Sequence, residues 1–293
     1  MIIGSHVNYQ AEQLLGCAKQ AVSYGANTFM FYTGAPQNTI RKEVDEKLLQ
    51  DANQYMQDNG IDINNVICHA AYIVNLANKE KEDSWNFAIR FLRDELKRIT
   101  KLGVNYLVLH PGNSLKIPKE EALNNISEGL NYIIDDKTKP MILLETMAGK
   151  GSECGTNIRE LKTILDNVKY KDKVGVCLDT CHLNDSGINI GEFDTYLDEF
   201  DREIGLDKIY CVHINDSKNE LGSHKDRHAN IGYGTIGFDN LISVIYNPRL
   251  EKVPKILETP WVLEYPPYKI EIDMIKNKTF NPNLERDLNN LYK

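Results

Sequence analysis

The sequence contains no long apolar run. None of its hydrophobic stretches approaches the roughly 20 residues that a bilayer-crossing helix needs, and no basic segment leads into an apolar one near the start. Both absences favour a cytoplasmic protein with no membrane partner. Cysteine is sparse and unpatterned: Cys17, Cys68, Cys154, Cys177, Cys181 and Cys211 are scattered with no C-x-x-C pair, which excludes a thiolate zinc knuckle and suggests reduced core thiols. Positive charge is in deficit, with 34 Lys and Arg against 42 Asp and Glu and a net charge of -8. Taken alone, that balance argues against a polyanionic partner, although divalent cations gathered by clustered carboxylates would offset much of it. The stretch Gly4 to Asn8 offers no glycine-rich phosphate turn after the first strand candidate, which argues against an open dinucleotide-binding sheet.

What the chain does have is alternation. Of its 293 residues 42% are hydrophobic, enough for a sizeable core, and they fall in short β-branched runs separated by amphipathic segments. The strand candidates are Met1 to Gly4, Thr28 to Tyr32, Val66 to His69, Tyr106 to His110, Met141 to Glu145, Val174 to Asp179, Ile209 to His213 and Lys255 to Glu258. Helical periodicity falls between them, over Gln13 to Tyr24, Val44 to Asn59, Ser84 to Leu102, Glu120 to Asp135, Ile158 to Val168 and Phe193 to Ile204. Gly25, Gly60, Gly103 and Gly205 stand where helix ends need a left-handed residue, and Asn157 with Glu160 fits a capping box. Eight such units predict an α/β TIM barrel, a closed (β/α)8 fold, as one domain over residues 1–293 with its active site at the C-terminal ends of the strands. Pro266 and Pro267 read as the entry to a last helix, and the polar tail from Asn281 onward as peripheral.

The strand ends carry the chemistry. Six consecutive strand candidates finish on His69, His110, Glu145, Asp179, His213 and Glu258, and two loops add His182, Asp226 and His228. In an extended segment alternate side chains share a face, so Asp226 and His228 are expected to reach one cation. Any one of these residues could be a hydrogen-bonded core histidine or a solvated acid, but that reading would have to hold independently at every strand end. Nitrogen and oxygen donors without thiolate suit Zn2+, or Mn2+ and Fe2+ at carboxylate-rich positions. Nine donors exceed the needs of one ion and fit three when one carboxylate bridges. His6 either supports a ligand or is structural.

The segments Cys68-His69-Ala70-Ala71-Tyr72, Leu109-His110-Pro111-Gly112, Leu144-Glu145-Thr146, Cys177 to His182, His213 to Lys218, Asp226 to Gly234 and Leu257 to Pro260 resemble endonuclease IV, in order, over nearly the whole chain. The resemblance implies a barrel with three zinc ions, with Mn2+ or Fe2+ possible at one position. His69, His110 and Glu145 would hold the first ion. Glu145 would bridge to a second held by Asp179, His213 and Glu258, and His182, Asp226 and His228 would hold the third. The implied activity belongs to DNA repair: hydrolysis of duplex DNA 5' to an abasic site, leaving a 3'-hydroxyl and a 5'-deoxyribose phosphate, with Glu145 and Glu258 as its catalytic carboxylates and Glu258 also orienting the nucleophile. Tyr72 matches a family position that wedges into the duplex, and the loop Gly34 to Lys42 brings Gln37, Asn38 and Arg41 as DNA contacts. His224, in the polar loop after the seventh strand, is a further DNA contact or simply solvated. The competing reading is a sugar isomerase or epimerase on a similar barrel, which needs one divalent ion and a set such as Glu145, Asp179, His213 and Glu258. The five additional donors separate the two. A monomer is expected.

Overall fold

The computed structural model describes residues 1–293. In chain order the elements are β1 (Ile3–Val7), α1 (Gln13–Ser23), β2 (Thr28–Phe31), α2 (Glu46–Asp58), β3 (Ile67–His69), α3 (Glu82–Leu102), β4 (Tyr106–Leu109), α4 (Lys119–Ile133), β5 (Met141–Glu145), α5 (Ile158–Asn167), β6 (Val174–Asp179), α6 (Thr180–Ser186), α7 (Phe193–Glu203), β7 (Ile209–Ile214), β8 (Asp216–Ser217), β9 (His228–Ala229), α8 (Phe238–Ile245), β10 (Lys255–Leu257), α9 (Tyr268–Asn277) and α10 (Leu284–Tyr292). Eight parallel strands close into a barrel in the spatial order β1, β10, β7, β6, β5, β4, β3, β2, as the alternation predicts. No helix is long and apolar enough to cross a membrane.

Two apolar layers hold the barrel. One lies between strands and helices and is a single continuous cluster running from Ile3 in β1 to Ile275 in α9. The other fills the interior with Met30, Ile67, Val108, Leu143, Cys177, Cys211 and Ile256, one residue from each barrel strand except β1. At β1 the backbones come too close for a larger residue, because a Cβ on Gly4 would lie 1.9 Å from the Thr28 carbonyl oxygen. All six cysteines are buried and free.

Side chains cap the starts of three α-helices, with Asp45 at α2, Asn157 at α5 and Asp179 at α6. Asn157 caps α5 by accepting from the Glu160 N–H at 2.9 Å. The Glu160 carboxylate accepts from Gly155 and Thr156 N–H at 2.8 and 3.2 Å, where an ordinary capping box would reach the N–H of Asn157 itself. Several expectations need correction. β1 starts and ends later than Met1 to Gly4, so His6 is inside it rather than beyond it. The short helices α6 and α8 lie outside the helical segments expected, since at 7 and 8 residues each is shorter than the stretch of about 11 residues over which helical periodicity stands out. The C-terminal tail is not peripheral either, because α10 buries Leu284 and Leu288.

Candidate active site

The interior layer dictates where the polar residues fall. Side chains alternate along a strand, so two residues beyond each interior apolar residue the chain again faces inward, now at the mouth. Ile67 is followed by His69, Val108 by His110, Leu143 by Glu145, Cys177 by Asp179, Cys211 by His213 and Ile256 by Glu258. The same step from Met30 reaches Tyr32, which a search of the sequence for metal donors misses because it carries an aromatic ring. Tyr32 packs that ring 4.9 Å from that of His69 and 5.1 Å from that of His6. His6 therefore lines the mouth, and burial lowers its pKa and keeps it neutral.

The nine nitrogen and oxygen donors form three groups free of cysteine, in each of which the potential ligand atoms lie within 4.8 Å of one another: His69, His110 and Glu145; Glu145, Asp179, His213 and Glu258; and His182, Asp226 and His228. Glu145 is shared. Its Oε2 is 3.1 Å from Nε2 of both His69 and His110, and its Oε1 is 3.1 Å from His213 Nδ1. His213 Nδ1 also lies 3.0 Å from Glu258 Oε2, and His182 Nε2 lies 3.1 Å from Asp226 Oδ1.

The surrounding backbone selects which face of each ring points inward. His69 Nδ1 lies 2.7 Å from the Ala70 carbonyl, His182 Nδ1 2.9 Å from that of Thr146 and His228 Nδ1 3.2 Å from that of Glu258. A carbonyl only accepts, so each Nδ1 carries the hydrogen and each neutral ring turns its Nε2 lone pair toward a carboxylate. Lone pair against lone pair at 3.1 Å is repulsive unless a proton or a cation lies between. Buried Nε2 of His228 finds no hydrogen-bond partner at all. With protons alone in these gaps, burial works to raise the Glu145 carboxyl but is outweighed by His213 and His110, which hold it well below the usual range. Burial likewise opposes charge on His182 and is outweighed by Asp179, Asp226 and Glu145, which raise it well above the usual value. The donor set therefore fits divalent cations: oxygen and imidazole ligands, oriented in advance and held in mutual repulsion that a cation relieves.

Neighbouring residues complete the frame. Asn215 donates to Asp179 Oδ2 at 2.7 Å and accepts from the Glu258 N–H at 2.9 Å, tying β6, β7 and β10 together at the mouth. Asp179 Oδ1 caps α6 by accepting from the His182 N–H at 2.7 Å, and that brings His182 back over the mouth. Asp226 and His228 do meet, at 3.5 Å, but not by the alternation expected of an extended segment. Asp226 is left-handed at φ 56°, and the turn, not a strand, brings its carboxylate round to His228.

Comparison with known proteins identifies the family. A family profile described as a xylose isomerase-like TIM barrel matches residues 18–278. The chain is 47% identical over 285 residues to a probable endonuclease 4 of Mesoplasma florum, covering 96% of this chain and 97% of that protein. It is 49% identical over 293 residues to another from Acholeplasma laidlawii, covering 98% and 99%. The crystal structure of endonuclease IV from Thermus thermophilus superposes with a TM-score of 0.81 at 27% identity, covering 94% of this chain and 98% of that one. The chain belongs to the endonuclease IV family.

In this member of the endonuclease IV family, the remaining candidate residues lie on the rim of the mouth. Tyr72 stands just beyond His69 and is 52% exposed. Gln37 is exposed and Asn38 half-buried on the loop after β2, where Asn38 Oδ1 accepts from the Ile40 N–H at 3.0 Å. Arg41 does not reach outward. Its side chain is 3% exposed and Nε pairs with Glu95 of α3 at 3.4 Å, while Nη1 donates to the carbonyls of Asn38 and Ile40 at 3.1 and 3.0 Å. The guanidinium staples the loop instead of offering a free cation. His224 is exposed but anchored: its Nδ1 donates to the Ala148 carbonyl at 3.0 Å, which pins the loop after β7 to the loop after β5.

Proposed function

We propose that the chain is a DNA-repair endonuclease holding three zinc ions, which hydrolyses the phosphodiester 5' to an abasic site in duplex DNA and leaves a 3'-hydroxyl and a 5'-deoxyribose phosphate. The observation that carries this reading is the division of nine donors into three groups with Glu145 common to two. His69, His110 and Glu145 would hold one ion, Glu145 with Asp179, His213 and Glu258 a second, and His182, Asp226 and His228 the third. Bound there, divalent cations acidify water and stabilise charge developing on a phosphodiester and its leaving oxygen. Glu145 carries one carboxylate oxygen toward each of its two groups. Glu258, beside His213 at the open side of the mouth, orients the attacking water through its carboxylate.

Selectivity rests on the rim. A nucleotide without a base gives up no stacking when it leaves the helix, so its extrusion costs less than that of an intact one. Tyr72 supplies an exposed ring to fill the gap left in the duplex, and Gln37 and Asn38 supply polar groups beside it. The site is a cytoplasmic enzyme's, and a single chain carries every donor.

A 5'-labelled duplex with one abasic site, incubated with the zinc-loaded protein, tests the reading. Incision on the 5' side with a 3'-hydroxyl terminus, lost after chelation and restored by zinc, is expected. Absence of incision by protein carrying its full metal complement would overturn it and leave the single-ion sugar isomerase, for which Glu145, Asp179, His213 and Glu258 suffice.

A further inference from the structure

Asp185 sits on α6 three residues after His182, so the two share one face of that short helix. It is fully buried, and the four groups that donate to its carboxylate are neutral. Oδ1 accepts from Ser217 Oγ at 2.6 Å and Asn184 Nδ2 at 3.1 Å. Oδ2 accepts from the main-chain N–H of Asp226 at 2.9 Å and from Asn219 Nδ2 at 3.0 Å. The Asp185 carbonyl takes a further bond, from the His224 N–H at 2.9 Å.

Burying a carboxylate is costly unless its lone pairs are filled, and four donors fill them here. What they fix is specific. His224 and Asp226 are both left-handed, at φ 54° and 56°, a conformation that side chains disfavour and that persists only where the surroundings impose it. Asp185 holds the amide of each. One helical turn thus carries a cation donor, His182, and the anchor for the loop that carries the next donor, Asp226. His182 Nε2 and Asp226 Oδ1 lie 3.1 Å apart.

We infer that Asp185 is a positioning residue for the cation group His182, Asp226 and His228, registering the loop after β7 against α6 before any cation binds. The inference rests on the metal reading of that group. In Asp185→Asn the shape is kept, but one oxygen becomes an amide N–H that faces two donors. Binding of one of three zinc ions should weaken by about 10- to 100-fold, the range typical of residues that orient metal ligands. Incision should fall through kcat, and excess zinc should restore it. Ser217→Ala removes one donor to the same carboxylate and leaves the Asp226 N–H bond in place, so it should keep all three ions.

Wild-type protein provides a second measurement that does not depend on the variant folding. In chelator-treated protein the Asp226 amide should exchange with solvent at least about tenfold more slowly than that of its exposed neighbour Lys225. Unchanged zinc affinity in Asp185→Asn, or unprotected exchange at Asp226, would overturn the inference. Wild-type protein that binds fewer than three cations, or that fails to cut abasic DNA, would instead overturn the metal reading, and the amide exchange would still decide whether Asp185 anchors the loop.

Discussion

Glu145→Gln isolates the residue on which two of the three donor groups depend. The substitution keeps volume and one carbonyl oxygen but removes the charge that faces His69, His110 and His213 at 3.1 Å. It should cost the ions of the first two groups and spare the one at His182, Asp226 and His228, to which Glu145 does not belong. An ion present at a thousand times its dissociation constant stabilises the fold by about 4 kcal/mol. Unfolding entropy is roughly 2.1 cal/mol/K per residue, which for 293 residues comes to about 0.6 kcal/mol/K. Zinc should therefore raise Tm by about 20 °C in the wild-type protein and by only about 7 °C in Glu145→Gln. Calorimetry with and without chelator, together with metal analysis after dialysis, reads both quantities. A variant that keeps three ions and the full increment, or that loses the ion of the third group first, would refute the assignment of Glu145 as the shared ligand.

Four further predictions probe the site and its frame. Glu258→Ala should abolish incision while binding to abasic duplex stays measurable by anisotropy; loss of both together would make Glu258 a residue of the fold and not of the reaction. Tyr72→Ala should weaken abasic-duplex binding by about 1–3 kcal/mol, the usual worth of stacking an aromatic against nucleic acid, with kcat at saturating DNA nearly unchanged; an unaltered KM would remove Tyr72 from the interface. Burial raises the Glu271 carboxyl from 4.5 to about 7, so the folded state prefers the protonated form, and stability is present in full below the unfolded value and declines as pH rises toward 7. The total is about 3 kcal/mol. Glu271→Gln should flatten that slope between pH 4.5 and 7, read as Tm against pH in chelated protein, and an unchanged slope would refute it. Leu288→Ala, in the fully buried face of α10, should destabilise by about 2–5 kcal/mol; a negligible change in denaturant midpoint would restore the peripheral reading of the tail.

How much of the structure is legible in the sequence depends on how local the determinant is. The barrel and six strand-end donors follow from a two-residue period and the burial of whole strands, both written in consecutive residues. The role of His6 stays open in the sequence because a first strand placed two residues too early hides the step that turns its side chain inward. Asp226 does pair with His228, yet through a left-handed turn that looks the same in sequence as an extended segment. The fate of Arg41 is decided by Glu95, 54 residues away, and such a partner cannot be read from the loop itself. Asp185 is invisible for a related reason: in a helical run it is an ordinary acid, and only the folded chain brings four donors to it.

Three cations, not one, distinguish the proposed DNA-repair site from a sugar-isomerizing one on the same barrel, so the decisive measurement is an anomalous difference map at the zinc edge from crystals grown with zinc. The expected result is three peaks. One should lie among His69, His110 and Glu145, a second among Glu145, Asp179, His213 and Glu258, and the third among His182, Asp226 and His228. A single peak at Glu145, Asp179, His213 and Glu258 would contradict the three-ion centre.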